Sequence, residues 1–258
     1  MKHIPRKRFG QHFLTDRQVI ADIVAAIRPR PDDLMVEIGP GLGAITKPLL
    51  KVLHHLHVVE LDRDIVERLH HDYDPERLGI HACDALKFDF GSLGAPLRVV
   101  GNLPYNISTP LLFHLAGFST QIEDMHFMLQ LEVVERMVAE PSTSAYGRLS
   151  VMLQYLFVMD NLLHVPPQAF TPPPKVESAV VRMQPWRDRP FQAASEAMLS
   201  AVVTAAFAMR RKTLRNTLHA YLDGPGFAQL GIDPGLRAEN LGVEDFVRIA
   251  NHCSGKQF

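Results

Sequence analysis

Leu34-Met35-Val36-Glu37-Ile38-Gly39-Pro40-Gly41-Leu42-Gly43 is the stretch that decides the fold. Its first half reads as a buried strand bounded by turn residues. Its second half places glycine at alternate positions, and Ala44 to Leu53 then carries a helical pattern. Strand, glycine turn and helix open a nucleotide-binding βα unit. The glycines remove Cβ atoms where backbone must approach a ligand closely.

Three further strands are written downstream. His57 to Leu61 contains Glu60, a carboxylate able to take both hydroxyls of a ribose. Gly79 to Cys83 runs into Asp84, which can accept a bond from an adenine amine. Leu97 to Gly101 runs into Asn102-Leu103-Pro104-Tyr105. The Asn102 amide oxygen and the backbone carbonyl of Leu103 can accept hydrogen bonds from an exocyclic NH2, while Tyr105 can stack on the ring. That set fits methyl transfer to adenine N6, given a methyl-donor site upstream. A dinucleotide is the competing ligand of the first turn, and its fingerprint is G-x-G-x-x-G. Here the spacing is G-x-G-x-G with Glu37 just before it, which suits a cationic ligand better than a pyrophosphate. S-adenosylmethionine carries an ammonium, a sulfonium and a ribose, and no phosphate. The turn by itself leaves both ligands open, and Asn102 to Tyr105 favours the methyl donor. Glu37 has a second role open to it, hydrogen bonding to backbone in the first turn.

With these motifs in order, the chain resembles the rRNA adenine N6-dimethyltransferases, in the pattern of the branch that acts on bacterial small-subunit (16S) rRNA. The matching segments are Arg8 to Leu14, Glu37 to Gly43, Val59 to Asp62, Asp84 to Leu86, Asn102 to Thr109, Tyr146 to Val151, Phe170 to Val180, and Phe207 with Arg210 to Leu214. The resemblance implies a Rossmann-like class I methyltransferase sheet of α/β class and S-adenosylmethionine as methyl donor. It implies that His12, Leu14, Gly39, Glu60, Asp84 and Asn102 contact that donor; Glu37 and Gly41 join them from the turn. Many relatives carry Asn where this chain has His12. It also implies Phe170 as a second stacking partner for the target base; read alone, Phe170 is a core aromatic beside a proline turn. Leu131 stands where relatives often have Lys. Leu103 stands where the similar resistance methylases of large-subunit rRNA more often have Ile. The implied reaction is dimethylation of two adjacent adenosines near the 3′ end of 16S rRNA, in the small ribosomal subunit or its precursor.

The chain has 258 residues, nearly half of them hydrophobic, and a formal net charge of −1. Charge is nevertheless clustered. Lys2, Arg6, Lys7 and Arg8 form one basic group, and Arg210, Arg211, Lys212 and Arg215 another. Such groups supply phosphate contacts, with Arg6, Lys7, Arg8, Arg210, Arg211 and Lys212 as the candidates for RNA. The two cysteines, Cys83 and Cys253, have neither disulfide nor zinc spacing, and Cys83 reads as core. No metal pattern, secretory signal or bilayer-length apolar run is present, so a cytoplasmic protein without metal is expected, and with no large exposed apolar helix evident a monomer is expected. The histidine pairs 54–55 and 70–71 read as surface residues.

Alternating strands and helices from Asp32 to Glu140 predict a mostly parallel sheet. A fifth strand is expected at Asp124 to Leu131, a helix at Glu132 to Ala139 and another at Tyr146 to Tyr155. An antiparallel edge pair is expected near Phe157–Val165 and Val176–Met183. Prolines between 166 and 190 make a stiff connection. The predicted domains are 1–187, the methyltransferase domain, and 188–258, a small helical domain for RNA recognition. The latter is expected to hold helices at Ala193–Met209 and Lys212–Leu222 and a final one after Gly242. An adenine methylase of large-subunit rRNA is the nearest rival reading, followed by a DNA adenine methylase and a catalytically inactive assembly factor, with a dehydrogenase the weakest.

Overall fold

The computed structural model describes residues 12–104 and 107–255. Tyr105, Arg6, Lys7 and Arg8 therefore lie outside the described residues. The described chain divides into two compact units. One runs through Val134 and resumes at Val158–Pro185; the other joins Glu135–Phe157 to the chain from Trp186 onward. Residues 135–157, which the sequence groups with the methyltransferase domain, thus belong to the helical unit.

The first unit is built on a seven-stranded sheet. Its strands are β2 (Leu34–Ile38), β3 (Leu56–Glu60), β4 (Leu78–Ala82), β5 (Leu97–Asn102), β6 (Ile122–Gln130), β7 (Phe157–Val165) and β9 (Ser178–Pro185). They lie in the order β4-β3-β2-β5-β6-β9-β7. β2, β3, β4, β5 and β6 pair in parallel, and β9 runs antiparallel to β6. β7 is the outer strand beside β9. A separate two-stranded ribbon pairs β1 (Phe13–Leu14) with β8 (Phe170–Thr171). β2 and β5 are central and almost fully buried, which is why both are mainly apolar, with Glu37 and Arg98 as their buried charged members. The strand order reverses between β2 and β5, so a crevice opens at their carboxyl ends.

Helix α1 (Arg17–Ile27) begins on Asp16, whose Oδ1 accepts from the amides of Gln18 and Val19. It presents Ile23 and Ile27 to a core that includes Met35, Val100 and Met128. Its C-terminus is held by the buried Arg98, whose Nη2 donates to the Ile27 carbonyl at 2.6 Å. The same guanidinium bonds Asp124 at 2.9 and 2.7 Å and Asp33 at 2.6 Å. Helix α2 (Thr46–Leu50) is shorter than the sequence pattern. Arg77 takes the carbonyls of Leu50, Leu53 and His54 and ends the helix there. Helices α3 (Arg63–Asp72) and α4 (Ser108–Ala116) complete the alternation.

Helix α5 (Leu131–Val138) leads into the second unit, which contains α6 (Arg148–Leu156), α7 (Glu196–Phe207), α8 (Leu214–Thr217), α9 (Gly224–Leu230) and α10 (Val243–Ser254). Leu199, Val202, Val203 and Ala206 form the buried stripe of α7, at the spacing of one helical face. They share a core with Tyr155 of α6 and with Phe246, Ile249 and Cys253 of α10. The expected helix over 212–222 is only one turn long. Thr213 stands extended before it, and Asn216 and Thr217 bond back onto Thr213, competing with helical pairing. No described helix is long and apolar enough to cross a membrane.

Candidate active site

The ends of β2, β3 and β5, with the segment after β4, surround a cavity of about 350 Å³. At the end of β2, Gly39, Gly41 and Gly43 all take positive φ, +66°, +53° and +82°. This is the left-handed region that favours glycine. At Gly41 space is also tight: a Cβ there would lie 3.3 Å from the Phe13 ring.

Glu37 is 2 % exposed, and its Oε2 accepts the Thr46 hydroxyl at 2.6 Å. Its observed partner is therefore a side chain on the first turn of α2, not the backbone of the turn. Burial pushes the Glu37 carboxyl up to about 7; the Thr46 bond opposes this and the charge of Glu60 adds to it. Glu60 ends β3, where one carboxylate oxygen accepts the amides of Leu61 and Asp62, both at 2.8 Å. Burial raises its pKa, while those two amides and that of Gly41 pull the other way. Asp84 Oδ1 accepts the Leu86 amide at 3.0 Å, which fixes the carboxylate at the cavity wall.

Asn102 closes β5. Its Nδ2 donates to the His12 carbonyl at 3.4 Å, leaving the amide oxygen as the arm able to accept from a ligand amine. Leu103 is 1 % exposed, and its amide bonds the Met128 carbonyl at 3.1 Å. His12 Nδ1 lies 2.8 Å from the Pro172 carbonyl, and Leu14 pairs with Phe170 in the ribbon. Phe170 is buried, belongs to the core and also lines the cavity. One ring thus serves both the core and the cavity wall.

Ten sequence-selected residues meet at this one cavity: His12, Leu14, Glu37, Gly39, Gly41, Glu60, Asp84, Asn102, Leu103 and Phe170. Arg210, Arg211 and Lys212 belong to the helical unit and are exposed; Arg210 Nη2 donates to the Ser144 carbonyl at 3.0 Å. Cys83, expected in the core, is half-buried and lines the cavity. Phe13, Asp62 and Thr46 were not singled out by sequence. The need for Gly41 pointed to a close neighbour, and a Thr on the first turn after a buried acid was the signal for Thr46.

A profile of the ribosomal RNA adenine dimethylase family matches residues 2–254. The chain belongs to that family. Among relatives of this dimethylase is the ribosomal RNA small subunit methyltransferase A of Chromobacterium violaceum, 66 % identical over 99 % of this chain and 98 % of its own length. A dimethyladenosine transferase from Plasmodium falciparum has a similar fold, with TM-score 0.78 at 24 % identity, covering 92 % of this chain and 96 % of that one. The 23S rRNA methyltransferase ErmE also shares the fold, with TM-score 0.72 at 24 % identity over 94 % of this chain and 99 % of its own. The dimethylase fold therefore occurs in proteins named for small-subunit rRNA and for 23S rRNA alike.

Proposed function

We propose that this chain transfers methyl groups from S-adenosylmethionine to N6 of two adjacent adenosines in the 3′-terminal hairpin loop of 16S rRNA. It does so in the small ribosomal subunit or a precursor, as a cytoplasmic monomer and as a step of ribosome biogenesis. One observation carries the reading: Glu60, Asp84 and Asn102, each at or just beyond the end of a parallel strand, face one cavity beside the glycine turn.

The lining suits this donor. It holds carboxyl side chains and, among the described residues, no Lys or Arg. That chemistry fits an ammonium, a sulfonium and ribose hydroxyls, and gives a pyrophosphate no cationic partner. Glu60 would hold the ribose, Asp84 the adenine amine, and His12, Leu14, Gly39 and Gly41 the wall around them. When bound, the donor supplies an electrophilic methyl on a sulfonium that leaves as a neutral thioether.

The chain's own task is to present N6, whose lone pair is delocalised into the ring. Asn102 Oδ1 and the Leu103 carbonyl accept the N6 protons, favour a pyramidal nitrogen and stabilise positive charge as it develops. Tyr105 and Phe170 stack on the base. An adenine within a duplex cannot reach such a pocket, so the target is flipped or lies in a loop, where unstacking costs less. After transfer the quaternised nitrogen loses a proton to water. Arg6, Lys7 and Arg8, with Arg210, Arg211 and Lys212, contact RNA phosphates.

The test uses labelled S-adenosylmethionine and small subunits lacking adenine methylation, followed by mapping of the label. N6,N6-dimethyladenosine at two adjacent adenines near the 3′ end is the expected product. Label confined to large-subunit rRNA would replace this reading with that of a resistance methylase.

A further inference from the structure

Four carboxyl side chains line the cavity: Glu37, Glu60, Asp62 and Asp84. Three of them are tied to backbone amides. Glu60 accepts those of Leu61 and Asp62, Asp62 accepts that of Asp64, and Asp84 accepts that of Leu86. Glu37 is instead held by the Thr46 hydroxyl, and it is the central member, on β2 between β3 and β5. The polar and titratable groups that share its cavity, together with its bonded partner, come from several elements. They are Glu60 and Asp62 at the end of β3, Cys83 and Asp84 after β4, Asn102 on β5, Thr46 on α2, and His12 before β1. Tyr73, after α3, closes the set from behind the turn. Its buried hydroxyl lies 2.9 Å from where a Cβ on Gly43 would stand, and the charge of Glu37 helps to raise its pKa.

The methyl donor and the product of transfer share their amino-acid, ribose and adenine parts. They differ in one charge: the sulfonium is cationic and the thioether is neutral. Shape and hydrogen bonding therefore discriminate poorly between them, and the lining's carboxylates discriminate by charge. We propose that Glu37 is the residue that sets preference for the cationic donor over its neutral-sulfur product, ionising as donor binds and taking a proton back in the product complex. This rests on the reading of S-adenosylmethionine as the ligand. The proton leaves the Glu37 carboxyl for solvent on donor binding and returns from solvent once the sulfonium charge is gone. No other bond changes at Glu37.

Burial holds the free carboxyl near neutral pH, so it is poised to respond. A cation in the same cavity favours the ionised form. By linkage, donor affinity then rises with pH through neutrality, and product affinity rises less.

The test is isothermal titration calorimetry of the whole protein with S-adenosylmethionine and, separately, S-adenosylhomocysteine. Each titration is run at pH 6, 7 and 8 in two buffers of different ionisation enthalpy. Donor binding is expected to release a substantial fraction of a proton at pH 7, and product binding a smaller one. The ratio of product Kd to donor Kd rises between pH 6 and 8, by up to ~10-fold if the two complexes differ by one pKa unit at Glu37. Glu37→Gln flattens that ratio across pH 6 to 8, whatever it does to the affinity for either ligand. Equal proton release for the two ligands overturns the proposal, as does a Gln variant with wild-type pH dependence. If neither ligand binds the wild-type protein, the donor reading itself falls and the proposal with it. The wild-type proton counts decide the matter even where the variant fails to fold.

Discussion

Gly101 passes so close to Ile38 that a Cβ on it would stand 2.6 Å from the Ile38 carbonyl oxygen. The same Cβ would meet the Leu103 side chain at 3.1 Å. This close approach seats β5 against β2 one residue before Asn102. Gly101→Ala must push the strands apart or rotate the Asn102 backbone. A loss of roughly 1–3 kcal/mol is expected from such overpacking, read from urea midpoints. Methylation should fall further than stability predicts, because the displaced group is the N6 acceptor of the proposed mechanism.

Asn102→Ala separates binding from chemistry. RNA binding should remain close to wild type, while methyl transfer to small subunits is lost. Quench-flow or label-incorporation assays at saturating RNA give the answer, and an active variant would remove Asn102 from the mechanism.

Arg210, Arg211 and Lys212 are exposed, so replacing them should not unfold the helical unit. Changing all three to Gln should weaken RNA binding and flatten its salt dependence, with about one unit less log–log slope for each phosphate no longer neutralised. Filter binding at several salt concentrations distinguishes this from a bystander cluster, which would leave both quantities unchanged.

Buried titratable groups set opposing pH limbs. Burial pushes His126 down to about 4, and Arg98 and Arg182 help keep it neutral against the pull of Asp124. The unfolded chain accepts this proton below about 6.5 and the folded chain resists it, so stability present above pH 6.5 is lost as pH falls toward 4. The ceiling of that loss is about 3 kcal/mol. Glu37 acts with the opposite sign. Its folded pKa of about 7 lies above the usual carboxylate value, so its contribution is full below about 4.5 and is lost as pH rises through 7. His126→Leu should therefore flatten the acid limb of a stability–pH curve, and Glu37→Gln the neutral limb. Denaturation midpoints from pH 4 to 8 test both.

Asp124→Ala would leave Arg98 buried with half of its ionic partners, an expected cost of about 3–5 kcal/mol. The double change Arg98→Met with Asp124→Leu should cost less than Asp124→Ala alone. Thermal or urea unfolding of the three proteins checks that ordering.

The parallel strands and the glycine turn are legible in sequence because strands buried on both faces are written as apolar runs ending in chemistry. Glu60, Asp84 and Asn102 could thus be placed at strand ends from residue pattern alone. The features that escaped the sequence depend on distant partners. Helix α2 stops where Arg77, more than twenty residues later, takes its carbonyls. Residues 135–157 join the helical unit because α6 buries Val151 and Tyr155 against residues beyond 186, a preference that periodicity cannot report. Glu37 stands out in the sequence as an acid beside the glycine turn, but its Thr46 partner is set by the path of the turn. Cys83 looked like core because an apolar strand precedes it, yet the chain leaves the sheet there and turns it to the cavity wall.

Arg98 has a consequence for synthesis on the ribosome. The guanidinium binds carbonyls and a carboxylate at 27–33 and a carboxylate at 124, so its partners leave the ribosome nearly a hundred residues apart. Until Asp124 emerges, Arg98 has only part of its ligation, and the end of α1 has no complete anchor. The donor-side strands can therefore form early, but they become locked only when the sixth strand has been made. A nascent chain stalled before that strand would carry the motif without a secured site.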